Sequence, residues 1–101
     1  MNKEKAVMIV IARINPAGEA ALKAYLEGAG PLFKAAGGQP VNKYKLAKQI
    51  VGENTMSLVS IMEFPSQEAL EGVFASDAYK ALLPHRDQAF SKLEVFVSLV
   101  Q

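Results

Sequence analysis

Two segments of this chain carry large apolar side chains on both sides of a period-two alternation. In residues 7–14, Met8, Val10, Ala12 and Ile14 share one side, while Val7, Ile9 and Ile11 occupy the other before Arg13 interrupts it. In residues 93–100, Leu93, Val95, Val97 and Leu99 share one side, and Phe96 and Val100 stand between Glu94 and Ser98 on the other. Successive strand residues point to opposite faces of a sheet, so both segments read as strands whose sheet needs cover on two faces. Any architecture open to the chain has to provide that second cover.

Between these strands the apolar period changes at each set of turn residues. Asn15-Pro16 opens a helix, because asparagine accepts from a free first-turn amide and proline has no N–H to leave unpaired there. Leu22, Tyr25, Leu26, Ala29, Leu32, Phe33 and Ala36 follow at helical spacing, as one inward stripe. Pro31, with Gly28 and Gly30, predicts a kink or two helical pieces, and Gly37-Gly38 ends the run. Residues 39–52 alternate imperfectly and carry Lys43, Lys45 and Lys48, the mark of an edge strand. After a turn at Gly52, Glu53 and Asn54, residues 56–64 form a third strand with Met56, Leu58, Met62 and Phe64 on one side, and with Val59 and Ile61 between Ser57 and Glu63 on the other. Pro65-Ser66 caps a helix that buries Ala69, Leu70, Val73 and Phe74. Ser76 or Asp77 caps a short further helix with Tyr79, Leu82 and Leu83 inward, and Pro84 either breaks it or begins another turn through Phe90. The order β-α-β-β-α-β predicts an α+β fold, a ferredoxin-like sandwich with a four-stranded antiparallel sheet, as one domain over residues 1–101.

Composition excludes several functions. The net charge of +1 gives no field to attract nucleic acid or anionic lipid. The chain has no cysteine and a single histidine, which removes thiol nucleophiles and transition-metal clusters; no metal and no cofactor are called for. No segment reaches the roughly 20 apolar residues that span a bilayer, and the run 6–12, at the lower limit for an export signal, is interrupted by Arg13 with no small-x-small cleavage pattern after it, so it reads as a first strand. A cysteine-free chain of this kind is expected in the cytoplasm. Phosphate-binding glycine loops and a Gly-x-Ser-x-Gly elbow are absent.

Helices on one face of such a sheet leave Val7, Ile9, Ile11, Val59, Ile61, Phe96 and Val100 on the other. At about 1.5–3 kcal/mol for each when fully buried, leaving them in water forgoes on the order of 10 kcal/mol, comparable with the whole stability of a small domain. A second copy is the simplest cover, since closed twofold dimers are the commonest oligomers. Arg13, Ser57, Glu63, Glu94 and Ser98 would then line or rim a space between two sheets, where a small molecule fits.

The run MEFPSQEALEGVFASDAYKALLPHR, after a proline-bearing helix that ends Ala36-Gly37-Gly38, resembles a domain family of unknown function in the dimeric α+β barrel superfamily. The matching pattern is Glu63-Phe64-Pro65-Ser66, then Ser76, Tyr79, Leu82 and Arg86. The resemblance implies the sandwich, a homodimer and a pocket. Members of the superfamily include cofactor-free monooxygenases, lactone isomerases, haem-dependent enzymes and ligand-responsive domains. Ala36 and the stretch VNKYKLAKQ depart from the pattern of many relatives, and both would change a pocket wall.

Five residues are candidates for a ligand site: Arg13, Glu63, Tyr79, His85 and Arg86. His85 is the candidate acid or base, against a solvent-facing histidine at a helix end. Arg86 offers a planar fork for a carboxylate or enolate, against a salt bridge with Asp77, Glu63 or Asp87. Tyr79 offers a hydroxyl donor but sits at core spacing with Leu82 and Leu83. Arg13 needs a partner if it is buried, and Glu63 and Glu94 could supply one. These residues predict a pocket walled by Phe96, Ile9 or Val59 with His85 and Arg86 near its mouth. The expected function is that of a dimeric small-molecule-binding protein, whose enzymatic form is a cofactor-independent oxygenase or isomerase acting on an aromatic or carboxylate-bearing compound. The alternative is a non-catalytic accessory or regulatory ligand-binding domain. A haem protein ligated through His85 is a third class, which no other residue supports.

Overall fold

The computed structural model describes residues 5–53 and 55–99. Strand β1 (Ala6–Ile14) leads through a short turn at Pro16–Gly18 into helix α1 (Glu19–Ala35). Strands β2 (Gln39–Lys45) and β3 (Leu58–Phe64) form a hairpin with a long connection; helices α2 (Gln67–Ala75), α3 (Asp77–Lys80) and α4 (Leu83–Ala89) follow, and β4 (Phe90–Leu99) closes the chain. The sheet is antiparallel in the order β2-β3-β1-β4, so β1 is central and the lysine-bearing β2 is an edge. This is the βαββαβ arrangement that the order of periodicities predicts. Asn54 and Val100 lie outside the described residues.

Local chemistry sets the boundaries. The Asn15 side chain accepts from the Ala17 amide at 3.1 Å and donates to the Gln88 carbonyl at 2.9 Å, so one residue caps the turn and ties it to α4. Ser66 Oγ accepts from the Ala69 amide and Ser76 Oγ from the Tyr79 amide, both at 3.1 Å. Pro84 stands in the first turn of α4, where its missing N–H leaves no gap, and so begins that helix. Gly37 ends α1 with φ +89°, a value that side chains disfavour. Pro31 divides nothing: α1 runs through it as one helix. Pro31 and Glu27, whose carbonyl loses its partner, are both exposed, so the missing bond falls on the solvent side of the helix.

Register assigns the two faces. Met8 stands opposite Met62 and Val97, and Val10 opposite Ser60 and Val95, on the side the helices cover. There Phe64, Leu70 and Tyr79 are fully buried, and Phe33, Phe74 and Tyr79 pack with ring centroids 4.7–6.3 Å apart. On the other side Ile9 stands opposite Ile61 and Phe96, and Ile11 opposite Val59, so an apolar band crosses β3, β1 and β4. Val7, Ile9, Ile11, Val59 and Ile61 are only partly buried, and Phe96 is 48% exposed. Mutual shielding thus reduces, without removing, the exposure expected from the sequence. Among the described residues no helix is long and apolar enough to cross a membrane.

Candidate functional site

The main cavity lies on the helix-covered side of the sheet, with a volume of about 570 Å³. Its floor is Met8, Val10 and Ile14 of β1, Leu58, Ser60 and Met62 of β3, and Leu93 and Val95 of β4. Leu22, Tyr25, Leu26 and Phe33 of α1 form its roof, with Phe74 and Phe90, and residues 40–43 close one side. Tyr25, Asn42, Lys43 and Ser60 are the polar members of the wall; the remainder is apolar. Phe96, Ile9 and Val59, the expected walls of a pocket between two sheets, occupy the opposite face of the same strands, so this cavity is distinct from that pocket. Alternation tells which side chains share a face but not which face holds a void.

The five candidates fall into separate places. Tyr79 and Arg86 meet: Arg86 Nη1 donates to Tyr79 Oη at 3.3 Å, and the guanidinium lies 5.9 Å from the Tyr79 ring centroid. Arg86 also faces Asp87, at 3.8 Å, which is the last of the three ion-pair partners that the sequence offered it. Arg13 is exposed and donates to Ser91 Oγ at 2.9 Å, so it pairs with neither Glu63 nor Glu94 and carries no burial penalty that demands an anion. Glu63 lies toward the other end of the sheet, 3.9 Å from Lys5. His85 is exposed on α4 and lines neither this cavity nor the adjoining one. Among the described residues no group of His, Cys, Asp or Glu side chains could hold a metal.

Tyr25 is the polar residue that the sequence reading placed only in the core stripe of α1. Its hydroxyl lies 2.8 Å from that of Tyr79, which extends the Arg86–Tyr79 contact into a chain of three groups that reaches the cavity wall. Phe90 packs edge-on against the Tyr25 ring, at 5.7 Å between centroids, and holds it in place. Burial, followed by the bond to Tyr79, pushes the Tyr25 hydroxyl well above the ordinary tyrosine value and keeps it neutral. For Arg86 partial burial acts against the charge, but the bond to Tyr79 and the proximity of Asp87 outweigh it and raise its pKa. A tyrosine rather than a phenylalanine at two core positions is the signal that could have found this pair, since a buried hydroxyl requires a partner.

Beside the main cavity, Arg86, Asp87, Ser91 and Lys92 line a more polar cleft of about 440 Å³. It shares Phe90, Leu93 and Val95 with the larger one. The Arg86 end of the chain therefore faces this cleft and the Tyr25 end faces the apolar cavity.

Residues 8–100 match the family model described as a domain of unknown function, DUF1330. The chain belongs to the DUF1330 family. Among curated proteins none matches it. Among solved structures, this DUF1330 chain is similar to a protein of unknown function from Rhodopseudomonas palustris, with a TM-score of 0.84 and 22% identity over 99% of this chain and 85% of the other. It is also similar to SnoaB, a cofactor-independent oxygenase from Streptomyces nogalater, with a TM-score of 0.67 and 10% identity over 97% of this chain and 94% of the other. A third likeness is to a dimeric protein of unknown function and ferredoxin-like fold from Bacteroides fragilis, with a TM-score of 0.65 and 8% identity over 99% and 100%. At these identities the likenesses establish a shared ferredoxin-like fold for the DUF1330 chain.

Proposed function

We propose that this chain is a homodimeric protein that binds a small, mainly apolar molecule between α1 and the sheet. The observation that carries this reading is the cavity of about 570 Å³, walled almost entirely by apolar side chains with a few polar groups among them. The homodimer rests on the apolar band that crosses β3, β1 and β4, and the Bacteroides fragilis neighbour is named as dimeric. The cysteine-free chain belongs, on this reading, to the cytoplasm.

Tyr25 and Lys43 are the titratable groups of the cavity wall, and His85 does not line it. Binding without turnover, in an accessory or regulatory role, is therefore the form that the geometry supports best. An oxygenase or isomerase acting on an aromatic or carboxylate-bearing compound is the second reading, favoured by the oxygenase among the similar structures. A thermal-shift screen of apolar small molecules against the wild type and Ser60→Phe tests the binding site, because the added ring fills the cavity floor beside Val10. Stabilisation of the wild type that is lost in the variant supports the reading; stabilisation that survives the filled cavity refutes it. Oxygen uptake or product formation with a stabilising compound would replace the binding form by the enzymatic one.

A further inference from the structure

The direction of the hydrogen bonds between Arg86, Tyr79 and Tyr25 follows from their donor inventory. A guanidinium has donors only, so Arg86 Nη1 must donate and Tyr79 Oη must accept. A tyrosine hydroxyl holds one hydrogen and two acceptor positions. If Tyr25 also donated to Tyr79, the Tyr79 oxygen would accept twice and its own hydrogen would need another acceptor, in a residue only 1% exposed. The opposite polarity strands nothing in the core: Arg86 donates to Tyr79, and Tyr79 donates to Tyr25. Among the described residues the partner of Tyr25 Oη is Tyr79, so the Tyr25 hydrogen is left to an acceptor from outside the chain, and the cavity is the space that Tyr25 lines.

We propose that Tyr25 is the specificity-determining donor of this cavity, and that its ligand is an apolar compound presenting one carbonyl oxygen to the Tyr25 hydroxyl. The inference rests on the cavity being a binding site. A carbonyl fits where an alcohol or an amine fits less well, because it brings no hydrogen that would need a further acceptor from a wall that is mostly apolar. The permanent charge of Arg86 at the far end polarises both hydroxyls in the same sense, which strengthens the last donor in the chain. Tyr79 and Arg86 act through Tyr25 and are positioning residues.

The test uses two compounds of similar size, acetylnaphthalene and isopropylnaphthalene substituted at the same ring position, in which a methyl group and a hydrogen take the place of the carbonyl oxygen. Binding of each is measured to the wild type, Tyr25→Phe and Arg86→Gln, with the carbonyl stretching frequency of the bound ketone recorded by infrared difference spectroscopy. The ketone is expected to bind the wild type roughly tenfold more tightly, the ratio that one net hydrogen bond supplies. Its stretch is expected to fall below the frequency in hydrocarbon solvent. In Tyr25→Phe the preference and the frequency shift both vanish while isopropylnaphthalene still binds, which shows that the cavity is intact. In Arg86→Gln the frequency shift becomes smaller. Equal affinity of the two compounds for the wild type, or a preference that survives in Tyr25→Phe, overturns the inference and leaves the binding site standing. If neither compound binds the wild type, the binding-site reading fails and the inference falls with it.

Discussion

Replacing Ile9 by glutamate probes the uncovered face at its centre. Ile9 stands between Ile61 and Phe96 in the register, on the side away from the helices, so the substitution leaves the core untouched. In the chain alone Ile9 is partly buried. Covering by a second sheet completes that burial, at about 1 kcal/mol per side chain, roughly half of the range for full burial of an isoleucine. Seating a carboxylate in the same apolar seam costs a further 1–2 kcal/mol or about that for each group. A twofold interface counts both contributions twice, so the variant dimer is weaker by about 4–6 kcal/mol, on the order of a thousandfold or more in dissociation constant. Sedimentation velocity across a concentration series at micromolar protein reads this directly, with far-ultraviolet circular dichroism to check that the fold is retained. The wild type is expected as a dimer and Ile9→Glu as a folded monomer. A wild type that sediments as a monomer throughout, or a variant that dimerises as tightly, would refute the argument.

Three further outcomes follow from the buried chain and the helix contacts. Tyr79→Phe keeps the ring against Phe74 but leaves the Tyr25 hydroxyl and Arg86 without their shared partner; it should lower stability by about 1–3 kcal/mol, and an unchanged urea midpoint would contradict the role given to that hydroxyl. The folded state holds the Tyr25 pKa above its unfolded value, so Tyr25 contributes stability that is complete below about pH 10 and is lost as pH rises beyond it. Denaturant titrations should accordingly show a steeper alkaline loss for the wild type than for Tyr25→Phe; parallel profiles would count against this. Gly18→Ala should be destabilising by about 1–3 kcal/mol, because a Cβ at that position falls on the Gln88 carbonyl oxygen and pushes α1 away from α4; a neutral effect in thermal melts would show that the contact is not tight.

The architecture was legible because it depends on local signals. The alternation in 7–14 and 93–100, the caps Asn15, Ser66 and Ser76, and the glycines after Ala36 each act within a few residues, and each marks an element that forms. Pro31 does not split α1 into two pieces, since the carbonyl that loses its partner belongs to Glu27, an exposed residue. The site was less legible because it depends on contacts across the chain. Tyr25 and Tyr79 lie 54 positions apart, and their spacing within separate helices marks both as core without showing that their hydroxyls meet. The strands reveal two apolar faces without showing that the helix-covered one holds a cavity, lined by Ser60 and Val10 below and α1 above. Arg13 and His85 are exposed and do not line this cavity.

The methionines test the placement of the ligand site most directly. Met8 and Met62 face each other across β1 and β3 in the cavity floor, while Met56 lies in the β2–β3 connection outside it. With isotope-labelled methionine methyls, titration with acetylnaphthalene should shift the Met8 and Met62 resonances together and leave Met56 in place. Shifts confined to Met56, or saturating binding that moves neither Met8 nor Met62, would contradict a site between α1 and the sheet.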